Sequence, residues 1–384
     1  MEPQGYVAEG YGKVADAFAT NFAEHGELGA GFSLHVDGEL QVDLHAGIAV
    51  SADGTPWTDR TLQLVYSTTK GVAAICVGML RDRGLVDFDR PVEDYWPEFG
   101  QAGKERITVG EMMSHQAGLP AVDATLTFDE VMSVGPIVEA LAAQMPLWEP
   151  GTRHGYHALT YGWLVGELVR RVDGRRINQF LQEEVCGPLD VEFWIGLPES
   201  EEPRVSRLEA APFPTDPAEL QQMMEMAGPG TLGGRALFLD GLFAPGSEHG
   251  FNDRAVHATE MPGANGITNA RSLSRIYAAT VAEVDGVRLL SDDTVEAMRA
   301  ERVRDSDTCL LAETRFGVGF WLDNDTAPML GAGSYGHPGA GGSLGYADPE
   351  TGVGYGYLMN QMGNGIAGDP RTIALNDAVR ACLP

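Results

Sequence analysis

Positive charge is scarce in this chain. Lysine and arginine together number 26 against 55 aspartates and glutamates in 384 residues, a formal net charge of −29 at neutral pH. Such a surface repels phosphate backbones and anionic lipid, which argues against nucleic acid and membrane as partners. The acidic residues, among them Asp82, Asp87, Asp89, Glu93 and Asp94, are interspersed rather than blocked and read as a solvated surface. Long apolar runs are missing as well: none reaches 18 residues, so no membrane-spanning helix is expected. The opening residues, MEPQGYVAEGYG, show neither the basic stretch nor the apolar stretch of a signal peptide, and the expectation is a cytoplasmic protein. Only four cysteines occur, Cys76, Cys186, Cys309 and Cys382, far apart and without C-x-x-C spacing. Buried free thiols are expected rather than disulfides or a zinc site. His154 and His157 lie three apart, but no H-E-x-x-H pattern or acidic partner at ligand spacing accompanies them, so neither metal nor other cofactor is expected.

What lysine there is becomes informative. Of Lys13, Lys70 and Lys104, the second stands three residues after Ser67 in VYSTTKGVAAICVGML, residues 65–80. With so few lysines an S-x-x-K match arises by chance in about one such sequence in ten. On a helix, residues i and i+3 share a face, so the Ser67 hydroxyl and the Lys70 amine can meet. Serine is a poor nucleophile at neutral pH, and a lysine can serve as its base once desolvation or nearby positive charge lowers the amine pKa. Ala73, Ala74, Ile75, Val77, Met79 and Leu80 surround the helix with apolar groups and supply that burial. The tetrapeptide also admits a plainer reading, with Ser67 as a helix N-cap and Lys70 as a first-turn surface residue.

With 43% hydrophobic residues the chain can bury a true core, and its length allows two domains or one with a large insertion. Helical periodicity over residues 15–24 leads into GFSLHVDGELQVDLHAGIAV, which alternates about Asp37-Gly38 and predicts a β-hairpin. Residues 84–100 read as loop. A short helix is expected from near Thr108 to Gly118, then helices over 128–145 and 161–172. Tyr156 precedes the last of these and can face the cleft that holds Ser67, there to share or relay the serine proton. Residues 200–250 suggest long loops and short helices over a pocket. A helix from about Ala270, strand-like alternation over 316–322, two strands joined at residues 348–352 and a final helix over 372–382 complete the chain.

Gly341-Gly342-Ser343-Leu344-Gly345 matches G-x-S-x-G, the nucleophile elbow of α/β-hydrolases, which needs a helix after the serine. YADPETG follows instead, a hairpin signal, so Ser343 reads as structural or substrate-lining.

Ser67-Thr68-Thr69-Lys70, Tyr156-His157-Ala158 and His337-Pro338-Gly339, in this order and spacing, resemble the S-x-x-K, Y-x-N and K-T-G elements of the serine β-lactamase and penicillin-binding-protein superfamily. SHQAGLP, PGTRHGY and NARSLSRIY resemble its family VIII carboxylesterase branch beside the class C β-lactamases. The resemblance implies an α/β (α+β) fold: an antiparallel β-sheet flanked by helices, formed by residues 1–90 and 251–384, with a mostly helical domain over 91–250. It implies Ser67 as nucleophile, Lys70 and Tyr156 as proton-handling groups, the backbone N–H groups of Ser67 and Ala340 as oxyanion hole, and His337, Gly339, Gly341 and His157 as substrate-binding residues. Where the lactamases place a lysine and an asparagine, this chain has His337 and Ala158. A serine hydrolase of short neutral carboxylic esters is therefore expected, with a small-molecule ester as its partner. Acyl transfer through the same acyl-enzyme, weak β-lactamase activity and a catalytically silent binding protein are the alternatives. Turnover of nitrocefin is expected to be slow, and to improve at lower pH if His337 takes up a proton.

Overall fold

The computed structural model describes residues 2–383. Alternation about Asp37-Gly38 does produce the hairpin: Gly29–Val36 pairs with Glu39–Val50, and both turn residues have positive φ, the mirror-image turn that matches strand twist. Around it grows a ten-stranded antiparallel sheet drawing on both parts of the chain. Its order is Gln4–Val7, Glu39–Val50, Gly29–Val36, Val353–Met359, Leu344–Asp348, Tyr335–Pro338, Trp321–Leu322, Glu313–Phe316 and Val303–Ser306, with Thr55–Pro56 added beside Glu39–Val50. Helices Gly12–Glu24 and Pro370–Arg380 pack together, and Ala270–Val281 crosses strands Val353–Met359 and Gly29–Val36. The architecture is mixed α/β, an antiparallel sheet flanked by helices, as expected.

Helix Thr68–Asp82 is the axis of the core. Every residue from Thr68 to Leu80 is buried, because its apolar surface runs almost all the way round. It packs against helix Thr160–Asp173 and strand Tyr335–Pro338, so elements distant in sequence converge on its N-terminus.

Local breaks divide two stretches that periodicity alone runs together. The helix expected over 128–145 is two, Phe128–Met132 and Gly135–Ala143. Val134 takes φ 70° between them, and Pro136 sits in the first turn of the second, where its missing N–H does no harm. The strand expected over 316–322 is interrupted over residues 317–320. Gly319 takes φ 78°, and a Cβ there would press on Ala74 and Tyr161. Short helices Pro217–Ala227 and Leu232–Phe238 punctuate the 200–250 region. Cys76, Cys186 and Cys309 are buried free thiols and Cys382 is a partly exposed one. Among the described residues no helix is long and apolar enough to cross a membrane.

Candidate active site

Ser67 occupies the N-cap position of helix Thr68–Asp82, yet its side chain makes no capping hydrogen bond. The preceding Tyr66 is held at φ 45°, a left-handed conformation that a bulky residue adopts only when its surroundings enforce it. Here the constraint is visible: the Thr69 hydroxyl donates to the Tyr66 carbonyl and accepts from the Gly266 N–H at 2.8 Å, while Val65 N–H donates to Gly266 O at 2.9 Å. The turn offers the Ser67 hydroxyl free of any structural duty to the helix.

Lys70 is fully buried, which excludes the surface reading of S-x-x-K. Its Nζ lies 2.9 Å from Ser67 Oγ, 2.7 Å from the Ala158 carbonyl and 2.6 Å from the Gly263 carbonyl. Burial pushes the amine pKa well below its ordinary value, and among the described residues no carboxylate pairs with it. As an ammonium, Lys70 donates to all three oxygens. In the neutral form that burial favours, its two N–H bonds go to the two carbonyls, which can only accept, and its lone pair faces Ser67, whose hydroxyl then donates to it. Tyr156 is packed face-on to Lys70, with Nζ 4.9 Å from the ring centroid. Burial raises the phenol pKa, opposed in part by the nearby Ser67 hydroxyl, and the Tyr156 hydroxyl meets no partner of ordinary hydrogen-bond geometry among the described residues. One buried group is thus driven toward its neutral base and the other held as a neutral acid, a pairing suited to moving one proton between them.

The beta-lactamase family profile matches residues 14–379. The chain belongs to the beta-lactamase family. The esterase/beta-lactamase LipL of Mycobacterium tuberculosis is 34% identical over 357 residues, covering 91% of this chain and 81% of that protein. The crystal structure of a family VIII carboxylesterase superposes with a TM-score of 0.89 at 37% identity, all of both chains being covered. A penicillin-binding-protein homolog from Caulobacter crescentus gives 0.87 at 35% identity, again over the whole of both chains.

The third element of this beta-lactamase-family chain lies on strand Tyr335–Pro338, against the start of helix Thr68–Asp82. Gly339 packs directly on the Val65 carbonyl and the Thr68 hydroxyl, too closely to admit a Cβ. Ala340 follows it, and the N–H groups of both Ala340 and Ser67 donate to no acceptor among the described residues. Gly341 turns away: its N–H donates to Gly365 O at 3.0 Å and its carbonyl accepts from Arg371 at 2.6 Å. His337 is buried beside Tyr156 and Trp321, with ring centroids 5.9 and 5.7 Å away. Its Nδ1 lies 2.7 Å from the Pro338 carbonyl, which can only accept, so Nδ1 carries the proton and Nε2 presents a lone pair. Burial holds its pKa well below the usual value. The depressed pKa disfavours protonation, so His337 is a poor source of the cation that K-T-G would provide.

His157, expected to bind substrate, is engaged on both ring nitrogens: Nε2 accepts from Leu119 N–H at 2.9 Å and Nδ1 donates to Gly155 O at 2.7 Å. Burial pushes its pKa down to about 3. The ring ties the 115–119 segment to the approach to helix Thr160–Asp173 and offers nothing to a ligand. Ser343 is likewise occupied. Its hydroxyl donates to Val65 O at 2.8 Å and accepts from Thr68 at 3.2 Å, clamping the glycine turn to the helix start. Ser343→Ala is expected to retain most ester turnover and to cost about 1 kcal/mol, the net worth of a typical hydrogen bond. The Val65 carbonyl still receives the Thr68 N–H in that variant. Steady-state kinetics with a urea unfolding curve checks this; activity lost as completely as in Ser67→Ala would make Ser343 the nucleophile.

Three contributors lie outside the site residues expected from the sequence, although His115 falls within SHQAGLP. His115, at φ 65°, packs its ring 5.0 Å from that of Tyr156 and accepts the His157 N–H. Arg371, buried with Glu27 and Asp369, braces the Gly341 carbonyl beneath the turn. Asp307 accepts the N–H of Tyr156 at 3.0 Å.

Proposed function

We propose that this protein is a serine hydrolase of short, neutral carboxylic esters, working through an acyl-enzyme on Ser67. The supporting observation is the buried Lys70, held by the Ala158 and Gly263 carbonyls with its Nζ 2.9 Å from Ser67 Oγ, a placement in which the neutral amine turns its lone pair to the Ser67 hydroxyl. Ser67 Oγ attacks the ester carbonyl as its proton passes to Lys70 Nζ. The carbonyl oxygen, now an oxyanion, is received by the backbone N–H groups of Ser67 and Ala340. Collapse breaks the bond to the alcohol oxygen, which takes the proton back from Lys70 by way of the Tyr156 hydroxyl. Water then gives its proton along the same route, attacks the acyl carbon and releases the acid, restoring Ser67. The reaction occupies a cleft between an α/β domain of residues 1–90 and 251–384 and a mostly helical domain of residues 91–250.

Substrate charge is set by His337. A neutral imidazole presenting a lone pair repels a carboxylate, where a lysine would anchor it. Neutral esters therefore outrank β-lactams. Assays of p-nitrophenyl esters of increasing acyl length beside nitrocefin test this, with p-nitrophenyl butyrate expected to give much the higher kcat/KM at pH 7. The pH dependence has a definite sign. The base form of Lys70 is lost as pH falls through its depressed pKa, and burial opposes protonation of His337, so both activities should decline together on acidification. A nitrocefin kcat/KM equal to that for the butyrate, or rising as pH falls toward 5, would contradict the assignment.

A further inference from the structure

We propose that Asp307 is the positioning residue for Tyr156, fixing from the sheet side of the molecule the backbone that carries the phenol. This rests on the reading of Tyr156 as a proton-handling group. Asp307 is completely buried in the turn between strands Val303–Ser306 and Glu313–Phe316. Its Oδ1 accepts three backbone N–H groups, from Cys309 at 2.8 Å, Leu310 at 2.9 Å and Tyr156 at 3.0 Å. The first two close its own turn; the third reaches across 151 residues of sequence. Oδ2 lies 3.6 Å from His154 Nε2 and 3.5 Å from the Thr314 hydroxyl, and these two are themselves 2.7 Å apart. The His154 carbonyl accepts from both the N–H and the hydroxyl of Thr308, at 3.2 and 2.8 Å.

One hairpin thus grips the chain from His154 to Tyr156 at successive points, and Phe316 from the same hairpin stacks on the Tyr156 ring at 6.2 Å and 8°. The need for such a grip is chemical. A phenol that trades protons with Ser67 and Lys70 cannot also be anchored by a permanent hydrogen bond at its tip, and the Tyr156 hydroxyl has no such anchor among the described residues. Its aim must come from the backbone end and from the walls of its ring. Capping a turn needs only a serine or asparagine. A buried carboxylate carries a desolvation penalty that the local turn alone does not require.

Asp307→Ser separates the two duties, because its short hydroxyl can still serve the turn but does not reach Tyr156. Asp307→Asn keeps the Oδ1 acceptor in place. Each is compared by kcat/KM on p-nitrophenyl butyrate and by the rate of fluorophosphonate labelling, in the parent protein and in a Tyr156→Phe background. Asp307→Ser is expected to lower both rates about 10²-fold in the parent, the scale of a misplaced catalytic group. With Tyr156 already Phe it should change them by no more than about twofold. Asp307→Asn should restore most of the rate. An equal loss in both backgrounds, no loss in the parent, an Asn variant as slow as the Ser variant, or a Ser variant without a cooperative unfolding transition would each overturn the proposal. Full activity of Tyr156→Phe alone would instead sink the proton-handling reading of Tyr156.

Discussion

Ser67→Ala is expected to lower kcat for p-nitrophenyl butyrate by about 10⁶-fold, the scale of removing the nucleophile from a serine hydrolase. The unfolding midpoint should scarcely move. Both halves follow from the same geometry. The Ser67 hydroxyl caps nothing, so the usual cost of about 1 kcal/mol for deleting an N-cap side chain does not apply. It is, however, the one hydroxyl within hydrogen-bond distance of Lys70 among the described residues, so no other group can take its place in attack. Steady-state kinetics beside a thermal melt reads out both. A variant that kept even a hundredth of its activity would remove Ser67 from the chemistry.

The second large effect concerns the groups proposed to move the proton. Lys70→Met and Tyr156→Phe are each expected to lower kcat/KM by about 10³-fold, within the range of general acid–base catalysis. The double variant should be scarcely slower than the poorer single one, because residues acting as a unit are non-additive. Lys70→Arg is the sharper control. A guanidinium keeps the positive charge but stays protonated, so it offers no lone pair to the Ser67 hydroxyl. If Lys70 works as a neutral base, the arginine variant loses as much as the methionine variant; if it works as a fixed cation, arginine rescues. Losses in the double variant that multiply would mean that Lys70 and Tyr156 act separately, and the shared proton route would have to be abandoned.

What the sequence reveals and what it conceals divide along the distance between interacting residues. The approach of Lys70 to Ser67 is a property of one helical turn, and the hairpin at Asp37-Gly38 a property of two turn residues; both are legible because the causes are local. The burial of Lys70 is legible too, from the apolar girth of residues 73–80. Asp307 is not. It sits between Ser306 and Thr308 with no periodic company, and its defining contact is to a residue 151 positions away. The same holds for Arg371, whose guanidinium bonds the Gly341 carbonyl from a helix near the end of the chain. His157 shows the converse, a residue whose sequence position says little about where its ring points. Its place beside Tyr156 in the second element suggested a ligand contact, but adjacent residues of a loop can point opposite ways, and this ring turns inward to Leu119 and Gly155. The strand Tyr335–Pro338 that carries His337 is not legible in its glycine-rich surroundings, and the depressed pKa of the ring follows from three-dimensional burial.

Two serines sit within recognisable nucleophile patterns, Ser67 in S-x-x-K and Ser343 in G-x-S-x-G, and only one can carry an acyl group. Their hydroxyls differ in kind: the first faces a buried amine, the second is spent on the Val65 carbonyl. Labelling the protein with a fluorophosphonate, digesting it and locating the adduct by mass spectrometry distinguishes them in one measurement. The expected result is a single stoichiometric adduct on the peptide containing Ser67, abolished in Ser67→Ala and retained in Ser343→Ala. An adduct on Ser343, or none on the intact protein, would contradict the acyl-enzyme at Ser67.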